Sequence, residues 1–214
     1  MQRKTKIITG VTAALAIVTL GSGTALQMHA ANNVSSVSQT TAPKTASTDS
    51  TKLAATSTSG TKQAYTVKYT DKSTEGNSAT FQKKTYGSAA TAADQVDYVG
   101  SASGSTVKLN HGTKAVVQGT MGHTYVHWTK GDWSVTAVTD NADVTGTPTQ
   151  FAKQVNQQIA KSHLPKRADT GAITVYSQDE QNETNSVSWQ QGKQLYQVSG
   201  TSADATVKVA QNAK

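Results

Sequence analysis

The chain has no cysteine, three prolines and two phenylalanines, and beyond its first thirty residues it has no long apolar run. Without cysteine there is neither a disulfide scaffold nor a lipid-modified N-terminal cysteine, so an exported protein of this composition is held by packing alone and is no lipoprotein. The aromatic share is only 6% and the charged share 15%. The formal charge of +7 looks basic, but Arg3, Lys4 and Lys6 supply three of those charges with no acid nearby. From Gln63 onward 14 Lys and Arg face 12 Asp and Glu, so no basic face argues for nucleic acid.

The N-terminus decides the compartment. After the basic start, "IITGVTAALAIVTLGSG" runs without a charge and gives way to small and polar residues. Residues 1–30 therefore read as a secretory signal peptide cut near Ala30 or Ala31. An uncleaved signal anchor, leaving the protein N-terminally membrane-anchored, is the alternative. The absence of cysteine fits a Gram-positive exoprotein, in which the sequons at Asn33 and Asn182 stand idle. "LPKRA" at Leu164 lacks the Thr-Gly and the apolar tail of a sortase signal.

Composition then divides the chain. Residues 31–63 are dominated by Ser, Thr and Ala, carry no aromatic residue and show no apolar period, which predicts a disordered linker. From Ala64 the period of two appears, with Tyr65, Val67 and Tyr69 on one strand face. "SATFQKKTY", "STVKLN", "KAVVQGT" and "GAITVYS" are further strands, and "SAATAADQVDYVG" reads as a helix using Val96 and Val99 and ending at Gly100. In "TPTQFAKQVNQQIAKSH", Thr147 and Gln150 form a capping box, Pro148 takes the first helical position, and Phe151, Val155 and Ile159 line one face. A last helix has Thr201 and Asp204 as caps and Ala203, Val207 and Ala210 as its packing face. The expectation is one α+β domain over 64–214, an antiparallel sheet of hairpins with about three helices packed on it.

One segment comes back. "VHWTKGDWSVTAV" from Val126 is echoed at Val187 by "VSWQQGKQLYQV". A hairpin closed by "TKGD" sets Trp128 opposite Trp133 and Val126 opposite Val135, with Gly131 at the turn. Such cross-strand pairs stabilise by roughly 0.2 to 1 kcal/mol each. In the second copy Val187, Trp189, Gly192, Tyr196 and Val198 take the same register, and Gln194 replaces the second Trp. The echo reads as repeated architecture with the tryptophans as core anchors. The functional alternative is a binding platform of Trp128, Trp133, Trp189 and Tyr196.

The stretch "VSWQQGKQLYQVSG" followed by a short helix resembles the end of a domain of unknown function in Gram-positive extracytoplasmic regulators and lipoproteins. The longer run through "YVHWTKGDWSVTAV", "FAKQVNQQIAKSHLP", "GAITVYS" and "VSWQQG" is similar to uncharacterised secreted proteins of lactic acid bacteria, and the resemblance covers Tyr86 to the C-terminus. Related lipoprotein-carrier folds set helices on the concave side of a curved antiparallel sheet. The resemblance thus implies an apolar pocket and transfers no catalytic residue. The missing anchoring cysteine departs from the lipoprotein members, so membrane tethering does not carry over.

No catalytic set completes itself. His123 and His127 have a helical zinc spacing but lie in a strand, where four residues span on the order of 13 Å, so no metal is expected. Ala102 stands where a nucleophile-elbow serine would be, and Ser105 and Lys108 point to opposite strand faces. Asp169 in "ADTGA" lacks the second copy an aspartic protease needs, and the acidic stretches at Asp140 and Asp179 lack calcium-ligand spacing. Asp94 and Asp97 belong to a polar helix face. The expected function is a non-catalytic secreted or cell-surface binding protein without cofactor, its partners cell-wall or lipid components. The alternatives are an apolar-ligand carrier, with a cavity lined by Trp128, Phe151 and Trp189, and an envelope hydrolase using Asp169 or the two histidines.

Overall fold

The computed structural model describes residues 32–71, 76–142, 146–161, 163–178 and 184–214. The leader 1–30 and the positions Asp179 and Asn182 lie outside them. Eleven strands run in the order β1 (Thr45–Ser47), β2 (Lys52–Gly60), β3 (Ala64–Asp71), β4 (Ser78–Thr85), β5 (Ser105–Lys108), β6 (Lys114–Thr120), β7 (His123–Lys130), β8 (Trp133–Asp140), β9 (Thr170–Tyr176), β10 (Asn185–Gln191) and β11 (Gln194–Gly200). Three helices punctuate them, α1 (Ala89–Ala93), α2 (Pro148–Lys161) and α3 (Ala203–Gln211).

All eleven strands join one sheet, ordered β1-β2-β3-β4-β11-β10-β9-β8-β7-β6-β5. The α+β class and the three helices agree with expectation, but the sheet is mixed, because β8 and β9 pair in parallel. The reason is the connection. The pairs β7–β8 and β10–β11 turn back through two-residue loops, whereas α2 intervenes between β8 and β9 and returns the chain to the same end.

The stretch expected to be disordered is corrected. Residues 45–60 form β1 and β2, and β2 pairs with β3 from Leu53 opposite Asp71 to Gly60 opposite Tyr65, with a bulge between Ala55 and Ser57. Val34, Ala42, Ala46 and Leu53 are buried in the same core as the later strands. A composition too poor in apolar groups to fold alone is ordered here by its neighbour. The Tyr69 hydroxyl donates to the Pro43 carbonyl at 2.7 Å, and the Thr41 backbone N–H donates to the Tyr65 hydroxyl at 3.0 Å. The boundary drawn at Ala64 therefore cuts through a continuous sheet.

Register distributes the core to one face. Val67, Phe81, Val198, Val187, Ile173 and Val135 form a row across six adjacent strands, each partner directly opposite the next. Helices α2 and α3 cover this face, α2 over β7 and β8 and α3 over β10 and β11. Thr147 and Gln150 form the expected capping box on α2, with Gln150 N–H donating to Thr147 Oγ1 at 3.3 Å and Thr147 N–H to Gln150 Oε1 at 2.9 Å. On α3 the cap is Ser202, one residue later than expected, because Thr201 is engaged with Ser78 across the β4 edge.

The opposite face is covered over β10 and β11 by α1, and the residues after α1 reach β8. The helix expected to reach Gly100 stops at Ala93. The following β-branched and acidic residues are poor helix formers, and by leaving the helix they place Val96 in a buried position and bring the Val99 N–H to Ser134 Oγ at 3.2 Å. No helix among the described residues is long and apolar enough to cross a membrane.

Candidate functional site

The two echoed hairpins lie near the middle of the sheet and differ from expectation in one respect. Each closes through two residues, Gly131-Asp132 and Gly192-Lys193, with positive φ at the glycine (58° and 55°), the arrangement that matches strand twist in a two-residue turn. That shortens the loop and shifts both registers by two from the expected pairing, in which Trp128 faced Trp133 and Gln194 took the corresponding place opposite Trp189. Trp128 faces Val135, Lys130 faces Trp133, and Val126 faces Ala137. The second hairpin pairs Trp189 with Tyr196 and Val187 with Val198. Adding 61 to each number of the corrected first hairpin gives the pairs of the second, so the echo is a true correspondence of register.

All four platform residues are interior: Trp128, Trp133, Trp189 and Tyr196 expose 2%, 6%, 3% and 4% of their surface. An open aromatic platform is thereby ruled out in favour of core anchoring. Trp189 stacks on Tyr196 with ring centres 5.1 Å apart, Phe81 meets Trp189 edge-on at 5.9 Å, Tyr65 stacks on Phe81 at 6.3 Å, and Trp133 approaches Trp189 at 6.4 Å. Each arrangement keeps negative ring faces off one another while burying large area. Gly171, opposite both Trp133 and Trp189, makes room for them, since a Cβ there would lie 2.6 Å from Trp133 Cδ2.

This aromatic band leads to the end of the sheet where β10 turns into β11, and there two of its members reach a recess of about 630 Å³. Trp189, Tyr196 and Gln191 line it from the sheet. Leu164, Pro165 and the basic side chains of His163, Lys166 and Arg167 come from the loop after α2, and Thr41 and Lys214 close the far side. The Lys214 N–H donates to the Thr41 carbonyl at 2.9 Å, tying those two walls together. Among the described residues no carboxylate side chain lines the recess. The nearest acid of the loop, Asp169, accepts the Gly192 N–H at 2.8 Å and so anchors the β10–β11 turn to β9. Burial, reinforced by the nearby Tyr65 and opposed by a hydrogen bond with Thr41, pushes the Tyr196 hydroxyl up to about 12, so it stays a neutral donor. It donates to Gln194 Oε1. Beside it on β4, Lys83 Nζ donates to the Lys62 carbonyl at 3.2 Å and sits 5.8 Å over the Tyr65 ring; burial lowers its pKa.

A second recess of similar volume lies between α2, α3 and the turn after β1. Phe151 lines it, with a mixed rim of Asp49, Asp204, Lys161 and Lys208. Trp128, Phe151 and Trp189, expected to share one apolar cavity, do not: Trp128 is packed within the core and the other two belong to different recesses.

The catalytic candidates are dispersed. His127 lies on the face opposite α2 and α3, buried, with Nδ1 3.1 Å from Thr136 Oγ1. Burial lowers its pKa, with the backbone of Val99 and Val135 pulling weakly the other way. His123 Nδ1 approaches the Met121 carbonyl at 3.1 Å near the start of the same strand. Ser105 and Lys108 are exposed on the edge strand β5, and Asp140 accepts the Ala142 N–H in a turn. No group of three or more metal-ligating side chains occurs among the described residues.

Sequence reasoning reached the recess floor through Trp189 and Tyr196 but missed the cations Lys166 and Arg167. The signal was present in "HLPKR", two adjacent cations and an imidazole within five positions shortly after a helix. The fold and recess define an α+β protein with one large mixed sheet and a cationic, aromatic-floored recess at one end. No family model, no curated protein and no solved structure matches the chain.

Proposed function

We propose that the protein is a non-catalytic binding protein of the cell envelope, secreted or held at the cell surface. The observation that carries this reading is the recess at the end of the aromatic band, built from Trp189, Tyr196 and the basic loop His163 to Arg167. It has the size of a small-molecule site, roughly 300 to 1,000 Å³, and joins an apolar floor to a few convergent polar groups. The export signal read in residues 1–30 supports the compartment, and the hairpin resemblance supports kinship with secreted proteins of lactic acid bacteria. Among the described residues Trp128, Phe151 and Trp189 do not share one recess, which weighs against the carrier reading, and His127 is buried against Thr136 while Asp169 holds the β10–β11 turn, which weighs against the hydrolase reading.

The test is co-sedimentation of the purified protein with isolated cell walls and, separately, with lipid vesicles. Wall binding that weakens with salt is expected, since exposed Lys and Arg contribute attraction that ions screen over about 10 Å. Recovery of all the protein in the supernatant with both materials would overturn the reading.

A further inference from the structure

The recess lined by Trp189 and Tyr196 has a composition that narrows its ligand. Beyond residue 62 the chain carries almost balanced charge, yet Lys166 and Arg167 stand together at this opening, beside the His163 imidazole, and no carboxylate side chain is among its described lining residues. The neighbouring recess, of the same volume, has Asp49 and Asp204 on its rim as well as Lys161 and Lys208, so the two recesses differ in the sign of their side-chain charge. Lys166 and Arg167 are exposed, and a guanidinium fork beside an ammonium matches the oxygens of a phosphate or carboxylate. The floor is apolar but shallow. With 3% and 4% of their surface exposed, Trp189 and Tyr196 present only narrow ring edges to the recess, too little apolar surface to sheathe an acyl chain. The Gln191 amide adds a donor and an acceptor at the same level, suited to hydroxyls.

Resting on the binding-protein reading above, we propose that this recess binds an anionic saccharide, a sugar ring bearing a phosphate or a carboxylate. The acid group lies against Lys166 and Arg167, and the ring lies over the edge of Trp189 and Tyr196. No bond is made or broken.

The test is calorimetric titration of the full chain, with tryptophan fluorescence as a second readout, using glucose 6-phosphate, glucuronic acid, glucose and inorganic phosphate. The expected result is that one or both charged sugars bind and perturb the fluorescence, with glucose and inorganic phosphate weaker on the order of tenfold or more. The variant Lys166→Glu/Arg167→Glu is expected to lose affinity on the order of tenfold while melting like the parent, because both side chains are exposed. Lys161→Glu/Lys208→Glu, in the other recess, is expected to bind as the parent does. Which charged sugar binds more tightly separates phosphate from carboxylate sources. The proposal is overturned if neither charged sugar binds, if glucose or phosphate binds equally well, or if the Lys166→Glu/Arg167→Glu variant keeps full affinity. Should that variant and the parent co-sediment with cell walls while no sugar binds, the site assignment fails and the binding-protein reading stands.

Discussion

Gly171 is the position where the packing of the aromatic band can be tested most sharply. It lies on β9 directly opposite Trp133 of β8 on one side and Trp189 of β10 on the other, and the two indoles close over it to a centroid distance of 6.4 Å. A methyl group at this position would meet Trp133 Cδ2 and Cζ3 at 2.6 Å, well inside van der Waals contact. The obstacle is a rigid ring that is 6% exposed, so it cannot swing into solvent without giving up its burial. Overpacking of this kind costs about 1 to 3 kcal/mol. For a domain of this size each kcal/mol moves Tm by about 2 to 4 °C, so Gly171→Ala should lower the midpoint by roughly 2 to 12 °C. The decisive comparison is Gly171→Ala made in a Trp133→Leu background. There the obstructing ring is gone, and the same methyl should be neutral within about 0.5 kcal/mol or slightly stabilising, since alanine loses less backbone entropy than glycine. Urea denaturation of the four proteins in this cycle reads a coupling of about 1 to 3 kcal/mol. An equal loss in both backgrounds would show that Trp133 does not lie over Gly171.

Deleting residues 32–63 removes Val34, Ala42, Ala46 and Leu53 from the core and bares the β3 edge, so the remainder should aggregate or melt far below the parent in a thermal scan. Tyr69→Phe loses the hydroxyl bonded to Pro43; about 1 kcal/mol of stability and faster proteolysis within residues 41–47 are expected. Acrylamide should quench the three tryptophans poorly in the native protein and fully in urea, and strong native quenching would contradict their burial. His127 in the folded protein titrates below its ordinary 6.5 because it is buried, so the unfolded chain binds more protons as pH falls below that value. Stability is therefore lost on acidification through that window, and His127→Gln should flatten the slope in denaturation series between pH 7.5 and about 5. Tyr196, raised to about 12, acts in the opposite direction: the unfolded tyrosine ionises near its ordinary 10.0, so stability falls as pH rises from there, and Tyr196→Phe should weaken that loss.

How much of this was legible in the sequence depended on how local the signal was. The Thr147 and Gln150 capping box and the glycine turns at Gly131 and Gly192 are set by contacts within a few residues, and they were readable. The register of the first hairpin was misread because "TKGD" looks like a four-residue loop, whereas twist favours the two-residue turn that keeps Thr129 and Lys130 in the strand. β1 and β2 were invisible for a different reason. Their Ser, Thr and Ala residues carry no period, and their order comes from the edge of the adjoining β3 and from the hydroxyls of Tyr65 and Tyr69, which bond residues 24 and 26 positions away. The recess was half legible. Its floor belonged to the echo, but its cations sit in a loop that only tertiary structure brings over Trp189.

The echo also explains why the recess lies where it does. In the first hairpin Trp133 fills the position next to the turn and closes over Gly171, sealing that part of the helix-bearing face. The corresponding position of the second hairpin is Gln194, whose side chain accepts the Tyr196 hydroxyl and holds that ring in its stack on Trp189. A second indole there would extend the sealed band to the turn. With glutamine instead, the edges of Trp189 and Tyr196 end at an opening, and the basic loop after α2 lies across it. Repetition thus builds the core, and the exchange of Trp133 for Gln194 falls at the turn beside which the edges of Trp189 and Tyr196 meet the recess.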